Sequence, residues 1–277
     1  MKKLIILLST LLLASDEITI DSILKKQKGL RSITEFSILS SNTSRNFGVN
    51  PIYSYDDGVV AQTKRLSFKE TFLYAYNSKV DLVLSFSGMY QNQDVITDTI
   101  KTDTTTEFSN LWVGFKYAFD KKIGDFKQEI TLKTAVYEKN HYAENKSASN
   151  FKSYNIRYSL SALLDPVVLN IYLETLQNLS RKIDDKNIKF PDIYTLGVNT
   201  NIILNPKFSL SLDFIETYQT KFLEDNQKVN PSTILSQIGF GFTYNIDSKN
   251  AIIISTLVGT SSSAPDSISS LSLWHKF

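Results

Sequence analysis

The sequence predicts an all-β protein, an antiparallel transmembrane β-barrel of about twelve strands behind a short N-terminal periplasmic helix. Three observations predict it. Apolar residues recur at every second position from Leu30 onward, not at the 3.6-residue period of a helix. Short and long connections alternate along the chain, as tight periplasmic turns and long extracellular loops do in outer-membrane barrels. The chain stops on an alternating segment that ends in Phe277.

Composition narrows the function classes. Lys+Arg 30 against Asp+Glu 28 gives a net charge of +2, without the basic field that phosphates require, so no nucleic-acid partner is expected. Cysteine is absent, which removes disulfide scaffolds, thiolate zinc sites and cysteine nucleophiles together. The two histidines, His141 and His275, leave little for a metal centre, and no cofactor or metal is expected. A hydrophobic content of 42% is low for a bundle of membrane helices, whereas 12% aromatic is high.

Taken in order, Met1-Lys2-Lys3 and the apolar run Leu4–Leu13 read as a signal peptide over residues 1–15. The run is roughly ten residues, too short to span a bilayer as a helix. Residues 16–29 read as a short helix with Ile20, Ile23 and Leu24 on one side and Gly29 closing it. Its Lys25, Lys26 and Lys28 make it a candidate plug for the periplasmic mouth. The barrel is expected over residues 30–277. Its first segment, Leu30–Ser40, places Phe36 and Ile38 outward and Glu35 inward. The second, Arg65–Tyr76, puts Glu70 on the lipid face, which calls for a bulge or a rim position. The third, Val80–Tyr90, alternates most clearly: Val80, Leu82, Leu84, Phe86 and Tyr90 face one way, Asp81, Ser85 and Ser87 the other. Leu111–Phe119, Tyr154–Ala162, Phe208–Phe214 and Ile234–Tyr244 repeat the pattern, with aromatics at the ends of the apolar face.

Short connections are expected at 77–79, 120–125, 164–166, 205–207 and 245–250. Long polar ones are expected at 41–64, 92–106, 138–150, 178–191, 219–232 and 260–267. Every proline falls in one of them, because proline cannot donate to a strand ladder. Asp165-Pro166 and Asn205-Pro206 are expected to make tight turns, with Asp165 accepting from neighbouring amides. In the last segment Leu271, Leu273 and Phe277 share one face and resemble the C-terminal signal read by the outer-membrane assembly machinery. That machinery, the outer-membrane lipids and a small-molecule solute are the expected partners, and the outer membrane the expected location.

Phe108-Ser109-Asn110-Leu111-Trp112-Val113-Gly114-Phe115-Lys116-Tyr117 resembles a strand opening of the phenol-degradation (MetA-pathway) outer-membrane transporter family, whose members often carry Gly-Asp where Ser109-Asn110 stand here. Leu164-Asp165-Pro166-Val167-Val168-Leu169 resembles a periplasmic turn of that family, and Gly197–Leu204 with Asn205-Pro206 and Phe208–Leu212 its next hairpin. The likeness runs from Phe108 to Phe277 and includes the short helix before the first strand. The resemblance implies passage of small compounds, aromatic ones among them, across the outer membrane.

If the apolar face meets lipid, the opposite face lines the lumen. Asp81, Lys116, Glu129, Lys133, Asn155, Arg157, Asn170, Tyr172, Glu174, Asn199 and Asp213 are therefore the candidate lining residues. Mixed charge predicts weak ion selectivity. The bland reading is that these side chains pair across the lumen and fill it. Arg157 and Glu174 are expected on adjacent strands, where a pair would be structural. No catalytic residue is expected. His141, near Ser147 and Ser149 in an outer loop, reads as a solvated surface histidine, and His275 lies at the rim opposite to where a lipid-cleaving Ser-His pair would act. Two classes remain: a channel or facilitator for small solutes, hydrophobic or aromatic ones among them, and a non-conducting structural or adhesion barrel that acts through its extracellular loops.

Overall fold

The computed structural model describes residues 29–41, 52–53, 59–96, 100–142 and 145–277. The expected signal peptide and the expected helix, apart from Gly29, lie outside the described residues. Gly29 is the first residue of a strand, at φ 115 and opposite Ala75.

In chain order the strands are β1 (Gly29–Ser41), β2 (Ile52–Tyr53), β3 (Val59–Ala75), β4 (Val80–Ile96), β5 (Ile100–Ala118) and β6 (Lys127–Tyr142). Then come β7 (Asn145–Ser149), β8 (Ser153–Leu164), β9 (Val167–Asn178), β10 (Arg181–Ile183), β11 (Lys186–Lys189) and β12 (Ile193–Asn205). The last are β13 (Phe208–Gln219), β14 (Phe222–Glu224), β15 (Gln227–Asn230), β16 (Thr233–Asn245), β17 (Asn250–Gly259) and β18 (Ser267–Lys276). β6 pairs with both β5 and β8, so the main sheet closes. With β2 and β7 set aside as additions to β6, the ring is a closed antiparallel barrel of 12 strands in simple chain order. First and last strands form the seam, from Arg31 opposite Lys276 to Ser40 opposite Ser267. Closure leaves no unpaired edge, which is the condition for a sheet to sit in hydrocarbon.

Burial is inverted relative to a water-soluble protein. Along β4, Asp81 is 1% exposed and its neighbour Leu82 is 48% exposed. Phe36 and Ile38 on β1, Phe115 on β5, Leu173 on β9, Leu212 and Phe214 on β13 and Ile254 on β17 also point outward, while Gln91, Gln93, Glu107 and Asn155 are buried. Only a surrounding of acyl chains makes that arrangement favourable. On the outer face a row of rings crosses five neighbouring strands: Phe36–Phe68 at 5.2 Å, Phe68–Phe86 at 6.2 Å, Phe86–Phe108 at 6.3 Å and Phe108–Tyr137 at 5.6 Å.

Two exceptions to strict alternation have local causes. Glu70 does face outward, but no bulge rescues it. Thr34, opposite it on β1, donates its hydroxyl to the carboxylate at 2.6 Å, and Glu70 is left only 8% exposed. On β5 a bulge is real: Ser87 faces Asn110 and Gly88 faces Phe108, so Ser109 is extra. Ser109 and Asn110 are both buried, and the outward residues change parity from Phe108 to Leu111, Val113 and Phe115. The dipeptide at which the sequence departs from the family it resembles is thus the bulge itself.

Three short turns use one device. Asn77 Oδ1 accepts from the amides of Lys79 and Val80, Asn205 Oδ1 from Lys207 and Phe208, and Asp247 Oδ1 from Lys249 and Asn250. Asp165 does not play that part: its peptide to Pro166 is cis, and among the described residues its carboxylate accepts no such bond.

The long connections are less irregular than expected. The segment 92–106 is mostly ladder, since β4 and β5 stay paired up to Ile96 opposite Ile100. The segment 138–150 is the β6–β7 hairpin. The connections at 178–191 and 219–232 form the hairpins β10–β11 and β14–β15, turned at Asp184-Asp185 and Asp225-Asn226. All four turn residues have positive φ, as type I′ hairpin turns require. The two hairpins join through β11 and β14 into a four-stranded sheet over the extracellular end. Its apolar side is a small core of Tyr142, Ile183, Ile188, Phe190 and Phe222. The β6 end carries Tyr142 into this core, and β2 lies parallel to it.

Glu224 ties this cap to β6: Tyr142 donates its hydroxyl to the Glu224 carboxylate, and Lys186 Nζ lies 2.6 Å from it. Those two partners, Lys186 first, hold the carboxyl below the usual carboxylate range. A carboxylate depressed in the folded state adds stability above its unfolded pKa and loses it as pH falls through the depressed value. Hydrogen exchange of residues 181–189 and 222–230, corrected for intrinsic rate, is therefore expected to accelerate on acidification, and Glu224→Gln to flatten that dependence.

Candidate functional site: the barrel lumen

The inward face is ordered by charge pairing from the periplasmic end upward. Arg31 on β1 donates to Asp81 on β4 at 2.8 Å, and both are buried. Asp81 stands opposite Lys116 on β5, which pairs with Glu129 on β6 at 2.5 Å. Positive and negative groups thus alternate across the wall. Higher up, Arg157 on β8 lies 3.5 Å from Glu174, its direct neighbour on β9. Asn155 donates to the same carboxylate at 2.6 Å. The Arg157 guanidinium sits 3.7 Å above the Tyr172 ring, a cation–π contact. That ring lies over Gly197 on β12, where an added Cβ would come within 2.1 Å of it, so any larger residue would push the ring aside. Asn170 donates to Ser161 at 2.7 Å, and Asn199 donates to Asp213 at 2.7 Å.

At and above the Arg157–Glu174 level is a cavity of about 410 Å³. Its lining comes from β1, β3, β4, β5, β6, β8, β9 and β12, which can meet only inside the barrel. Of the sequence candidates, Lys133, Asn155 and Glu174 line it. Asp81, Lys116, Glu129, Arg157, Asn170, Tyr172, Asn199 and Asp213 are engaged in the pairs above and do not. Small residues on one wall leave the room for it: Ser37, Ser67, Ser85, Ser87, Gly88 and Ser109.

Sequence reasoning missed Arg31, Arg65, Lys69 and Glu107. Arg65 donates to Gln91 at 2.7 Å, and both are buried. The signal was available, because Phe68 and Phe72 outward put Arg65 and Lys69 inward, but Glu70 on the lipid face argued against using that strand. His141 is a correction. It is 2% exposed, not solvated, and its Nε2 lies 2.5 Å from the Glu107 carboxylate. Ser149 instead bonds to Asn140, which stands opposite Ser147 on the other side of the hairpin, so no Ser-His pair forms there. Lys139 lies 3.4 Å from the same Glu107. The alternate side of the hairpin sends Glu138 and Asn140 to Arg181, so β6–β7 is held between the barrel wall and the cap.

A closed barrel, an exposed apolar belt and a polar, charge-paired interior define an outer-membrane β-barrel. No protein-family model matches the sequence, and no curated protein does. Among solved structures, the COG4313 outer membrane channel from Pseudomonas putida F1 has a TM-score of 0.65 at 9% identity, with 91% of this chain and 97% of that one covered. The translocator domain of the autotransporter NalP from Neisseria meningitidis has a TM-score of 0.54 at 8% identity, covering 93% and 91%. The β domain of the Bordetella autotransporter BrkA has a TM-score of 0.53 at 10% identity, covering 91% and 100%. At such identities the likeness is one of fold.

Proposed function

We propose that the protein is an outer-membrane channel through which small solutes, hydrophobic or aromatic ones among them, pass down the lumen. The observation that carries the reading is the cavity in mid-barrel, kept open by small residues and bordered by charged ones. A barrel that served only as a scaffold has no need of it, since side chains of ordinary size would fill the space. That the similar Pseudomonas protein is a channel supports the same reading, as does the resemblance of Phe108–Phe277 to the phenol-degradation transporter family. The outward row Leu271, Leu273 and Phe277 supports recognition by the assembly machinery, with residues 1–15 as the export signal.

Single-channel recording in planar bilayers tests it. Wild-type protein is expected to give a defined open conductance. Lys133→Gln and Arg157→Gln are each expected to shift selectivity towards cations, by roughly twofold in relative permeability for a change of about one kT in local potential. A silent barrel would overturn the channel and favour the second reading, a structural or adhesion barrel. That reading has its own observation, a cap with a dedicated apolar core built from two loops.

A further inference from the structure

We propose that the mid-lumen cavity is a binding site for an organic monoanion with a flat apolar body, an aromatic carboxylate. The carboxylate is held by Lys69 and Lys133, and the ring lies against Trp112 and Met89. The proposal rests on the channel reading for access to the site and names the solute class that reading leaves open.

Charge accounting points to the anion. Most lumenal cations have a protein acid to satisfy them: Arg31 has Asp81, Lys116 has Glu129, and Arg157 has Glu174. Lys69 and Lys133 differ. Both line the cavity, and among the described residues neither has a carboxylate within ion-pair distance. Glu35 stands opposite Lys69 in the β1–β3 register without closing on it. The charges of Lys69 and Arg157 both act on Lys133, against the single opposing carboxylate of Glu174. Cations gathered around too few acids in a partly desolvated space leave a positive potential that a bound anion would neutralise.

The wall between the two lysines supplies the remainder. Lys69 is on β3 and Lys133 on β6. Crossing from one to the other, the surface is Ser85 and Ser87 on β4, then Trp112 on β5 opposite Ser85. The serines give room, Trp112 gives a flat apolar face 7% exposed, and Met89, 6% exposed and four residues along β4 from Ser85, adds apolar lining. Gly114 lets β6 come close at this point, since an added Cβ would lie 2.8 Å from the Lys133 Cα. A cavity of about 410 Å³ suits a one-ring solute, at the lower end of the range for small-molecule sites.

Calorimetric titration of the full chain in detergent, at low salt, tests this with three probes of one shape: benzoate, benzamide and benzylammonium. Benzoate is expected to bind at least about tenfold more tightly than benzamide, the difference shrinking with added KCl. Benzylammonium is expected not to bind. Lys69→Gln and Lys133→Gln are each expected to weaken benzoate about tenfold, the loss of one charge-assisted contact, and to leave benzamide unchanged. Equal binding of the three probes, preference for benzylammonium, no binding of benzoate, or unaltered benzoate affinity in both variants overturns the proposal. If one variant fails to give a folded, heat-modifiable barrel, the other variant and the wild-type ranking still decide. Conductance is read separately: a barrel that passes KCl without preferring benzoate sinks the site alone, and one that binds benzoate without conducting sinks the channel alone.

Discussion

Phe222→Ala is expected to release the extracellular cap and leave the barrel intact. Phe222 is fully buried, with the Tyr142 ring at 5.9 Å and the Phe190 ring at 5.7 Å, and with Ile183 and Ile188 it completes a five-residue core. Truncating a buried phenylalanine costs about 3–5 kcal/mol through lost transfer energy and an unfilled cavity. A four-stranded sheet on so small a core has little stability to spare, so the loss is comparable to its whole margin. The barrel shares only Tyr142, at the end of β6, with that core, and its ladders close around the lumen without the cap strands. Protease added outside proteoliposomes should therefore cut within residues 179–192 and 220–232, while the heat-modifiable mobility of the barrel on gels stays that of wild type. Wild-type resistance to cleavage would show that the cap does not depend on this core.

Arg181→Ala is expected to destabilise the cap's attachment by a similar amount, for an electrostatic reason. The Arg181 guanidinium donates to Glu138 at 3.0 Å, to Asn140, and to Ser153 at 3.3 Å, and it lies 4.9 Å from the Phe190 ring. Arg181 is 4% and Glu138 2% exposed. Removing the cation leaves a buried carboxylate whose main remaining donor is the Ser153 hydroxyl at 2.7 Å, and breaking a buried pair in this way costs about 3–5 kcal/mol. Adding Glu138→Gln to the variant removes the stranded charge and is expected to recover much of the loss. Hydrogen-exchange stabilities of β10 and the β6 end across the four proteins of that double-mutant cycle give the coupling. Additive costs would mean that the pair contributes nothing as a pair.

Much of the barrel was readable because its solvent writes a simple rule into each strand. Asp81 beside Leu82 on β4 and Arg157 opposite Glu174 on adjacent strands follow from period-two alternation and connection lengths alone. The rule also marked its own exception at Glu70. What it lacked was Thr34: a hydroxyl on the neighbouring strand is invisible to a reading of one strand at a time, so β3 was discounted, and with it Arg65 and Lys69. The cap was lost for another reason. Asp184-Asp185 and Asp225-Asn226 are the residue types that accept positive φ, but they sit in polar stretches where hairpins of three or four residues leave almost no alternation to detect. His141 was misplaced as solvated because its burial depends on Glu107, 34 residues earlier on another strand.

The sequence by itself determined the closed antiparallel barrel, its orientation from tight turns and long loops, and which side chains meet lipid. Each of these depends on a residue's immediate neighbours and on hydrocarbon outside the wall. Only the tertiary structure decided what the interior is: a bulge at Ser109, charges cancelled in pairs across strands, a hole where serines converge from separate strands, and two lysines left facing it. Those outcomes depend on register and on which distant residues share a level of the barrel, and closing the ring is what sets both.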